Sequence, residues 1–313
     1  MRNLLKRILP LVVKNFIYKV YIIIIKIYPK YLSSQAFWSN NTVDSPKDGF
    51  KSIESSLLHL EWRNNQYIDS INYLSMDNLD NKIILDYGCG PGNDLINISL
   101  LSNPKKLIAV DVSQKAILLA QKRAKLHNLD VEFIKINETQ KVEIIKNHSI
   151  DVINSNGVLH HIENLEIIFS EFHRILKNDG YAQIMVYNKE SIWYHLHVAF
   201  EMKIKRGLFR DYKNEEIFKM TTDGLDCPLS VCYTPRDFIK LCKKNGFSCK
   251  LIGSSVSLFE MNKLSLIWEA LKSKKLGKES ADFLKEIKFN NKGLPVFREN
   301  NAGINSYFKL TIL

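Results

Sequence analysis

An acidic residue followed by closely spaced glycines is the part of this sequence whose residue types best suit the binding of a small ligand. Asp86 ends a short apolar segment, and three glycines follow it at alternate positions: Gly88, Gly90 and Gly92. Glycine permits a positive φ and lets a ligand approach the backbone, because it has no Cβ. Residues 82–87 predict a buried strand, and Pro91 precedes a predicted helix. The turn therefore begins a βαβ unit of the kind that binds nucleotides.

The spacing of the glycines and the charge of Asp86 separate two kinds of nucleotide ligand. A dinucleotide-binding turn has a third glycine three residues after the second, but Asn93 stands there. A carboxylate would also repel a pyrophosphate, whereas it suits the ammonium group of S-adenosylmethionine. The segment LDYGCGPGND, residues 85–94, resembles the first motif of the class I S-adenosylmethionine-dependent methyltransferases. We therefore expect S-adenosylmethionine as the cofactor in preference to a nicotinamide dinucleotide.

The segments that follow keep to the order of that family. KLIAVDVS predicts a second strand that ends in Asp111, where a carboxylate can accept hydrogen bonds from both ribose hydroxyls. The third predicted strand ends in Asn137, where the family usually has an acid; Asn137 either binds the adenine or is a polar loop residue. IDVINSNGVLHHI, residues 150–162, resembles the fourth strand and its loop in small-molecule methyltransferases of the methyltransferase 11 type. The resemblance implies a set of cofactor-binding residues: Asp86, Gly88, Cys89, Gly90, Gly92, Asp111, Val112, Asn137, Asn154 and Asn156.

Two adjacent histidines, His160 and His161, follow the fourth predicted strand. Histidine titrates near neutral pH, so one of them could act as a general base beside the cofactor. The paired histidine also occurs in relatives of this type with different substrates, so a role in shaping the loop is the alternative. We expect no metal site, because no cluster of carboxylates or cysteines accompanies the pair in the sequence.

The N-terminal segment combines apolar residues with an excess of positive charge. Seven positive charges of the net +11 come from the first 43 residues, which have no acidic side chain. Lysines interrupt the apolar run, so no uncharged stretch approaches the roughly 18 residues that a membrane span needs, and the cleavage site of a signal peptide is lacking. Drawn as a helix, the segment places four polar residues on one stripe: Asn15, Lys19, Lys26 and Lys30. We expect residues 1–30 to contact an anionic membrane surface, a groove of the protein itself or a second copy in a homodimer.

The element order and the resemblance imply an α/β fold, with a Rossmann-like, seven-stranded, mostly parallel sheet. Helices cover both faces, the last strand is antiparallel, and helical caps are inserted. We expect a basic, apolar N-terminal helical segment over residues 1–43 and a methyltransferase domain over residues 44–313. The expected core and caps of that domain follow: core about 80–188, 229–253 and 303–313, caps 190–228 and 254–302.

A further helix is expected ahead of the first core strand, within residues 43–67. It carries Trp62, Arg63 and Asn64, with Tyr67 at its end. In the family that this sequence resembles, a helix in this place often closes over the cofactor. Packing in the core is the alternative for Trp62 and Tyr67.

These features lead us to expect methyl transfer to an oxygen, or with less support a carbon, of a small-molecule or lipid-linked acceptor. There is no Asn-Pro-Pro-Tyr or Pro-Cys after the fourth strand, as in enzymes that methylate adenine, glutamine or cytosine, so nucleic acid is not expected as a partner. A non-catalytic S-adenosylmethionine-binding regulatory subunit and a nucleic-acid or protein methyltransferase remain as alternatives. Five scattered cysteines without a CxxC pattern favour reduced thiols. We expect a cytoplasmic location, with peripheral attachment to the inner face of a membrane as an alternative.

Overall fold

A computed structural model describes residues 11–42, 45–137 and 141–313. Eleven strands are found in these ranges: β1 Tyr67–Ile68, β2 Ile83–Tyr87, β3 Lys106–Asp111, β4 Val131–Lys135, β5 Ile150–Asn156, β6 Leu176–Tyr187, β7 Phe247–Ser257, β8 Lys288–Phe289, β9 Pro295–Phe297, β10 Asn300–Asn301 and β11 Asn305–Ile312. Twelve α-helices accompany them: α1 Leu11–Ile27, α2 Ser34–Asn40, α3 Ile53–Asn65, α4 Ser70–Tyr73, α5 Asn93–Leu101, α6 Gln114–Leu126, α7 Leu165–Ile175, α8 Asn214–Thr222, α9 Pro235–Lys244, α10 Leu258–Lys263, α11 Ile267–Lys272 and α12 Lys278–Glu286.

The main sheet has eight strands in the order β1-β7-β11-β6-β5-β2-β3-β4. The pairs β2–β3, β3–β4, β2–β5 and β5–β6 are parallel, whereas β11 lies antiparallel between β6 and β7. The predicted Rossmann-like, mostly parallel sheet with an antiparallel last strand is therefore confirmed. The eighth strand is β1, a two-residue segment that pairs antiparallel with the edge of β7 and is too short to be predicted from a hydrophobic pattern.

Apolar side chains from the sheet and its helices form the core beneath the carboxyl ends of the parallel strands. Tyr87 at the end of β2 packs edge-on against Phe172 of α7, with ring centroids 5.0 Å apart. Phe169 of the same helix packs against Phe247 of β7. These side chains are buried, so the strand ends that border a ligand cleft rest on a closely packed base.

The stretch expected as a first cap, residues 190–228, contains a π-helix over Trp193–Lys205 and helix α8. The π-helix presents Tyr194 and Val198 to one apolar cluster, and Leu196 and Phe200 to another. Residues 254–302 form three short helices and a small antiparallel sheet, in the strand order β10-β9-β8.

Helix α1 packs one side against that first apolar cluster. Ile22 is buried there, and the Tyr18 ring meets Phe209 edge-on at 5.7 Å. The helix ends at Ile27, so Lys30 does not continue the predicted lysine stripe. Residues 1–10 of the predicted segment, and the side chains of Asn15 and Lys26, lie outside the described residues.

Candidate functional site

The glycine turn after β2 is folded tightly against the end of β3. The backbone N–H groups of Gly88 and Cys89 both donate to the Val110 carbonyl, at 2.8 and 2.9 Å. Gly88 has a φ of +79°, and a Cβ at this position would lie 2.3 Å from a Val158 methyl carbon. Gly90, with a φ of +50°, has no atom within 4 Å of the place where its Cβ would be. Gly88 is therefore required by packing, whereas Gly90 borders open space in the cleft.

Asp111 ties the turn to the second strand of the unit. Its carboxylate accepts the backbone N–H of Gly90 at 2.9 Å and that of Ser113 at 2.8 Å. Burial raises the pKa of Asp111, although these N–H groups act in the opposite direction. A carboxylate has further lone pairs, so Asp111 can accept hydrogen bonds from a ligand as well as hold the turn.

Asp86 lies buried at the end of β2 with half of its carboxylate unsatisfied. The Asn154 amide donates to Oδ1 at 2.9 Å, while Oδ2 has no hydrogen-bond partner among the described residues. Burial and then the nearby Asp94 raise the pKa of Asp86 to about 8. A cationic group near Oδ2 would favour the charged form of this carboxyl.

Asp94, in the first turn of α5, joins the strand ends into one polar network. It accepts from the amides of Asn154 and Asn156 at 3.2 and 2.9 Å, and from the Arg63 guanidinium at 3.4 Å. Asp94 was not among the predicted site residues. Its position in the first turn of the helix after the glycines could have identified it from the sequence.

A cleft opens at the carboxyl ends of these strands. Its strand-side wall includes Gly88, Gly90, Asp111 and Val112. The loop after β5 and a short helix near the N-terminus form the rest of the wall: Asn156, Gly157, Val158, His161 and Ile162 from the loop, and Ser34, Gln35, Trp38, Asn41 and Thr42 from α2 and the residues after it.

Several predicted site residues lie beside this wall and are not part of it. Asp86, Cys89, Gly92 and Asn154 support the strand ends from behind, as their burial or contacts show. Asn137 is exposed, and Ile136 lines the cleft in its place. Successive side chains of an extended chain point to opposite sides. The prediction of Asn137 is one position too far along the chain, so it selects the side that faces away from the cleft.

The helix that covers the cleft is α2, not the helix predicted within residues 43–67. Helix α3 carries Trp62, whose side chain is 54% exposed, and Arg63, which bonds to Asp94. Asn64 bonds to Asn97 of α5, and Tyr67 begins β1; Val43 and Asp44 lie outside the described residues. The predicted helix is present as α3, but it packs beside α5, behind the strand ends, and none of its residues lines the cleft.

The two histidines occupy different environments. His161 lines the cleft; its Nδ1 lies 2.8 Å from the Leu229 carbonyl and must donate to it, because a carbonyl only accepts. His160 is fully buried, its ring lies against that of Tyr187 with centroids 3.8 Å apart, and neither ring nitrogen has a hydrogen-bond partner among the described residues. Burial lowers the pKa of both imidazoles, that of His160 to well below the usual value. Of the two, only His161 can meet a ligand in the cleft.

The fold also brings Asp223 and Cys227 to His161, with ligand atoms that all lie within 4.8 Å of one another. No metal site was expected because the histidines have no carboxylate or cysteine cluster near them in the sequence, but the fold brings such groups to His161. Each group nevertheless has protein partners. Asp223 accepts from Tyr187 at 2.9 Å and from Ser230 at 2.7 Å, and the Cys227 thiol donates to Leu229. Asp223, Cys227 and Nδ1 of His161 therefore each have a hydrogen-bond partner in the protein.

Comparison with known proteins agrees with this geometry. A family model described as "Methyltransferase domain" matches residues 78–224. The release factor glutamine methyltransferase of Flavobacterium psychrophilum is 34% identical over 125 residues, which is 39% of this chain and 41% of the relative. The ubiquinone biosynthesis O-methyltransferase of Pelagibacter ubique is 24% identical over 69% of this chain and 81% of its own length. A solved complex of a Haloferax volcanii methyltransferase with the Trm112 activator matches with a TM-score of 0.51 and 11% identity, over 90% of this chain and 99% of that one.

The fold, the glycine turn and the cleft define a class I methyltransferase domain. Residues 78–224 are therefore a methyltransferase domain, and S-adenosylmethionine is its cofactor. The alignment with the release factor enzyme spans less than half of that relative's length.

Proposed function

We propose that this protein transfers a methyl group from S-adenosylmethionine to an oxygen of a small or lipid-linked acceptor. The observation that carries the proposal is the buried Oδ2 of Asp86, which lies beside the cleft and has no hydrogen-bond partner among the described residues. On the neighbouring strand, the Asp111 carboxylate holds the glycine turn by accepting the N–H of Gly90. An ammonium group can satisfy the first carboxylate, and ribose hydroxyls can donate to the second. A nicotinamide dinucleotide has no ammonium group that could donate to Asp86, and this carboxylate would repel its pyrophosphate.

The chain's own residues would hold and orient the two reactants. S-adenosylmethionine supplies an electrophilic methyl group on its sulfonium, so in-line attack depends mainly on distance and angle. Val112, Ala116 and Ile136 offer an apolar slot for the adenine at the end of the cleft beside α6. Asn156 and Val158 border the opposite end, where the methyl group would face the acceptor. The remaining predicted residues, Cys89, Gly92, Asn137 and Asn154, would support the cofactor indirectly.

His161 is the candidate proton acceptor for a hydroxyl acceptor. Because Nδ1 donates to Leu229, the neutral ring carries its lone pair on Nε2. This nitrogen lies 3.8 Å from Asp223 Oδ1, which can stabilise the charged ring once it takes a proton. His160 lacks access to the cleft and would shape the loop. A phenol that ionises by itself would need His161 less than a sugar hydroxyl would.

The names of two relatives point to different acceptor classes: one is an O-methyltransferase of ubiquinone biosynthesis, and the other is a glutamine methyltransferase of a release factor. The small-acceptor class is favoured here because the fourth core strand, β5, ends in Asn154-Ser-Asn and is followed by Gly157, where the glutamine-methylating pattern would be. A non-catalytic regulatory subunit is the second candidate, since the same cleft could bind the cofactor without an acceptor.

Helix α1 supports a membrane surface as the place of reaction. The side opposite Ile22 exposes large apolar side chains, among them Phe16 (67%), Ile24 (50%) and Ile27 (62%). An apolar face of this size is covered by lipid or protein in a functional state. The seven positive charges of the first 43 residues favour an anionic lipid surface, and a second copy of the chain is the alternative cover. Among the described residues, no helix is both long and apolar enough to cross a membrane.

The test is methyl transfer from S-adenosylmethionine labelled in its methyl group. The protein is incubated with separate fractions of cellular lipids, small polar metabolites, proteins and nucleic acids, and the label in each is counted. The proposal expects label in the lipid or metabolite fraction. Alkaline hydrolysis should release that label only if the methyl group has formed an ester. Label confined to protein or nucleic acid would refute the acceptor class, and no label in any fraction would favour the regulatory subunit.

A further inference from the structure

Three polar atoms on one turn of α2 lack a hydrogen-bond partner among the described residues. They are Ser34 Oγ, Gln35 Oε1 and Trp38 Nε1, and each is cut off from solvent. All three residues line the cleft. Buried polar atoms without partners cost free energy, and native proteins rarely retain them without a reason.

Three other polar side chains on or beside α2 form hydrogen bonds with the backbone of the helix. Ser33 accepts the Ala36 backbone N–H at 3.2 Å. The amides of Asn40 and Asn41 donate to the carbonyls of Ala36 and Phe37, at 2.9 and 2.8 Å. The unsatisfied atoms are therefore confined to the side of the helix that faces the cleft.

Aromatic packing holds α2 across the cleft. Phe37 is buried and meets the rings of Tyr31 and Trp38 edge-on, at 5.4 and 4.8 Å. The Trp38 ring lies 4.7 Å from that of His161. Because His161 follows β5, Trp38 stands at the end of the cleft that lies beside Asn156 and away from the apolar slot at Val112.

The three atoms offer a defined set of hydrogen-bond functions. The indole N–H of Trp38 can only donate, Oε1 of Gln35 can only accept, and the Ser34 hydroxyl can do both. A ligand group that presents a carboxylate next to an ammonium matches this set. Asp86 lies behind the cleft wall, and its Oδ2 is the other unsatisfied oxygen near these strand ends; it can accept from an ammonium group that reaches it.

We propose that Ser34, Gln35 and Trp38 bind the amino-acid end of S-adenosylmethionine, with Trp38 donating to its carboxylate and Gln35 accepting from its ammonium. This assignment rests on the proposed function, because it adds binding residues to the same cleft. Under this proposal, helix α2 must move away from the cleft to admit the cofactor. The bound cofactor then holds α2 in the closed position.

The test compares two ligands by isothermal calorimetry on the full chain. S-Adenosylhomocysteine has the amino-acid end, whereas 5′-methylthioadenosine has the adenosine and the sulfur without it. Trp38→Phe and Gln35→Leu should each weaken S-adenosylhomocysteine about 10-fold and leave 5′-methylthioadenosine unchanged. Gln35→Glu keeps an accepting oxygen and should retain binding. Trp62→Phe, a change of the same kind on α3, is the matched control and should alter neither ligand.

The outcomes separate this inference from the proposed function. If the unchanged protein does not bind S-adenosylhomocysteine, the proposed function itself fails. If it binds and the α2 variants bind it equally well, or lose both ligands to the same degree, the assignment to the amino-acid end is overturned. Thermal melting identifies any variant that has lost its fold, and the Gln35→Leu and Gln35→Glu pair then decides the question.

Discussion

The carboxylate of Asp111 accepts the backbone N–H of Gly90 at 2.9 Å. This bond joins a strand end to the glycine turn of the neighbouring strand, so one side chain both shapes the cleft and faces its ligand. The loss of Asp111 should therefore affect binding through the ligand and through the turn.

Replacement of Asp111 should weaken cofactor binding more than it weakens the fold. Asp111→Ala removes hydrogen bonds to two backbone N–H groups and to the ligand, and we expect a loss of about 1–3 kcal/mol in the binding of S-adenosylhomocysteine. Calorimetry measures this loss, and Asp130→Asn, at an exposed position before β4, is the control. Unchanged affinity in Asp111→Ala would show that this strand end does not hold the ligand.

A methyl group at Gly88 should be far more damaging than the same change at Gly293. Both glycines have similar positive φ values, +79° and +72°, but a Cβ at Gly88 meets Val158 at 2.3 Å while one at Gly293 meets nothing within 4 Å. Gly293→Ala should cost about 1–2 kcal/mol of unfolding free energy from the backbone alone. Gly88→Ala should cost at least about 1 kcal/mol more, because the packing must also shift. Equal losses in urea unfolding would contradict the packed turn.

Cofactor binding should release a proton from Asp86 near neutral pH. The pKa of Asp86 is raised to about 8 in the free protein, so this carboxyl is mostly protonated at pH 7, and an ammonium beside Oδ2 favours the charged form. Affinity for S-adenosylhomocysteine should therefore rise as the pH increases from about 6 to 8. Calorimetric titration in buffers of different ionisation enthalpy measures the number of protons released when the ligand binds. Asp86→Asn should abolish the release, and a release that persists in this variant would assign it to another group.

The raised pKa of Asp86 has the opposite effect on the stability of the free protein, which should fall as the pH rises. A carboxyl whose pKa is higher in the folded state binds more protons there than in the unfolded chain, so its contribution to stability declines as the pH rises from about 4 to 8. In Asp86→Asn this decline should be smaller. Urea unfolding of both proteins at several pH values measures the difference, and parallel profiles would mean that Asp86 is charged in the free protein.

An acidic residue on the exposed side of α1 should prevent membrane binding. Ile24→Asp places a negative charge among apolar side chains that we expect to meet anionic lipid, and flotation with vesicles of phosphatidylcholine and phosphatidylglycerol should be lost. Leu58→Asp changes a side chain of similar exposure (66%) on α3 and should leave flotation intact. If the unchanged protein does not float at low salt while it sediments as a dimer, a second copy covers α1.

The local sequence was sufficient to predict the position of a residue when that position depends only on the residue's own strand and turn. The positions of Asp86, Gly88 and Asp111 follow from a strand pattern and from glycine spacing, and the parallel sheet follows from the alternation of strands and helices. Asn137 shows the limit of this reasoning, because a shift of one position exchanges the inner and outer sides of the chain.

Contacts between distant segments could not be predicted in this way. Trp38 meets His161 across 123 positions of sequence, and Asp223 reaches the same histidine from the other direction. Neither segment has a pattern that names its partner, because tertiary packing alone brings them together. The same reason explains why α3 was expected over the cleft where α2 lies.

Binding of S-adenosylhomocysteine, with NAD as the contrasting ligand, tests the central claim most directly. Calorimetric titration of the full chain with each ligand in the same buffer should give saturable, one-to-one binding of S-adenosylhomocysteine and no heat of binding from NAD. Binding of NAD in preference to S-adenosylhomocysteine, or of neither, would contradict the assignment of this cleft to S-adenosylmethionine.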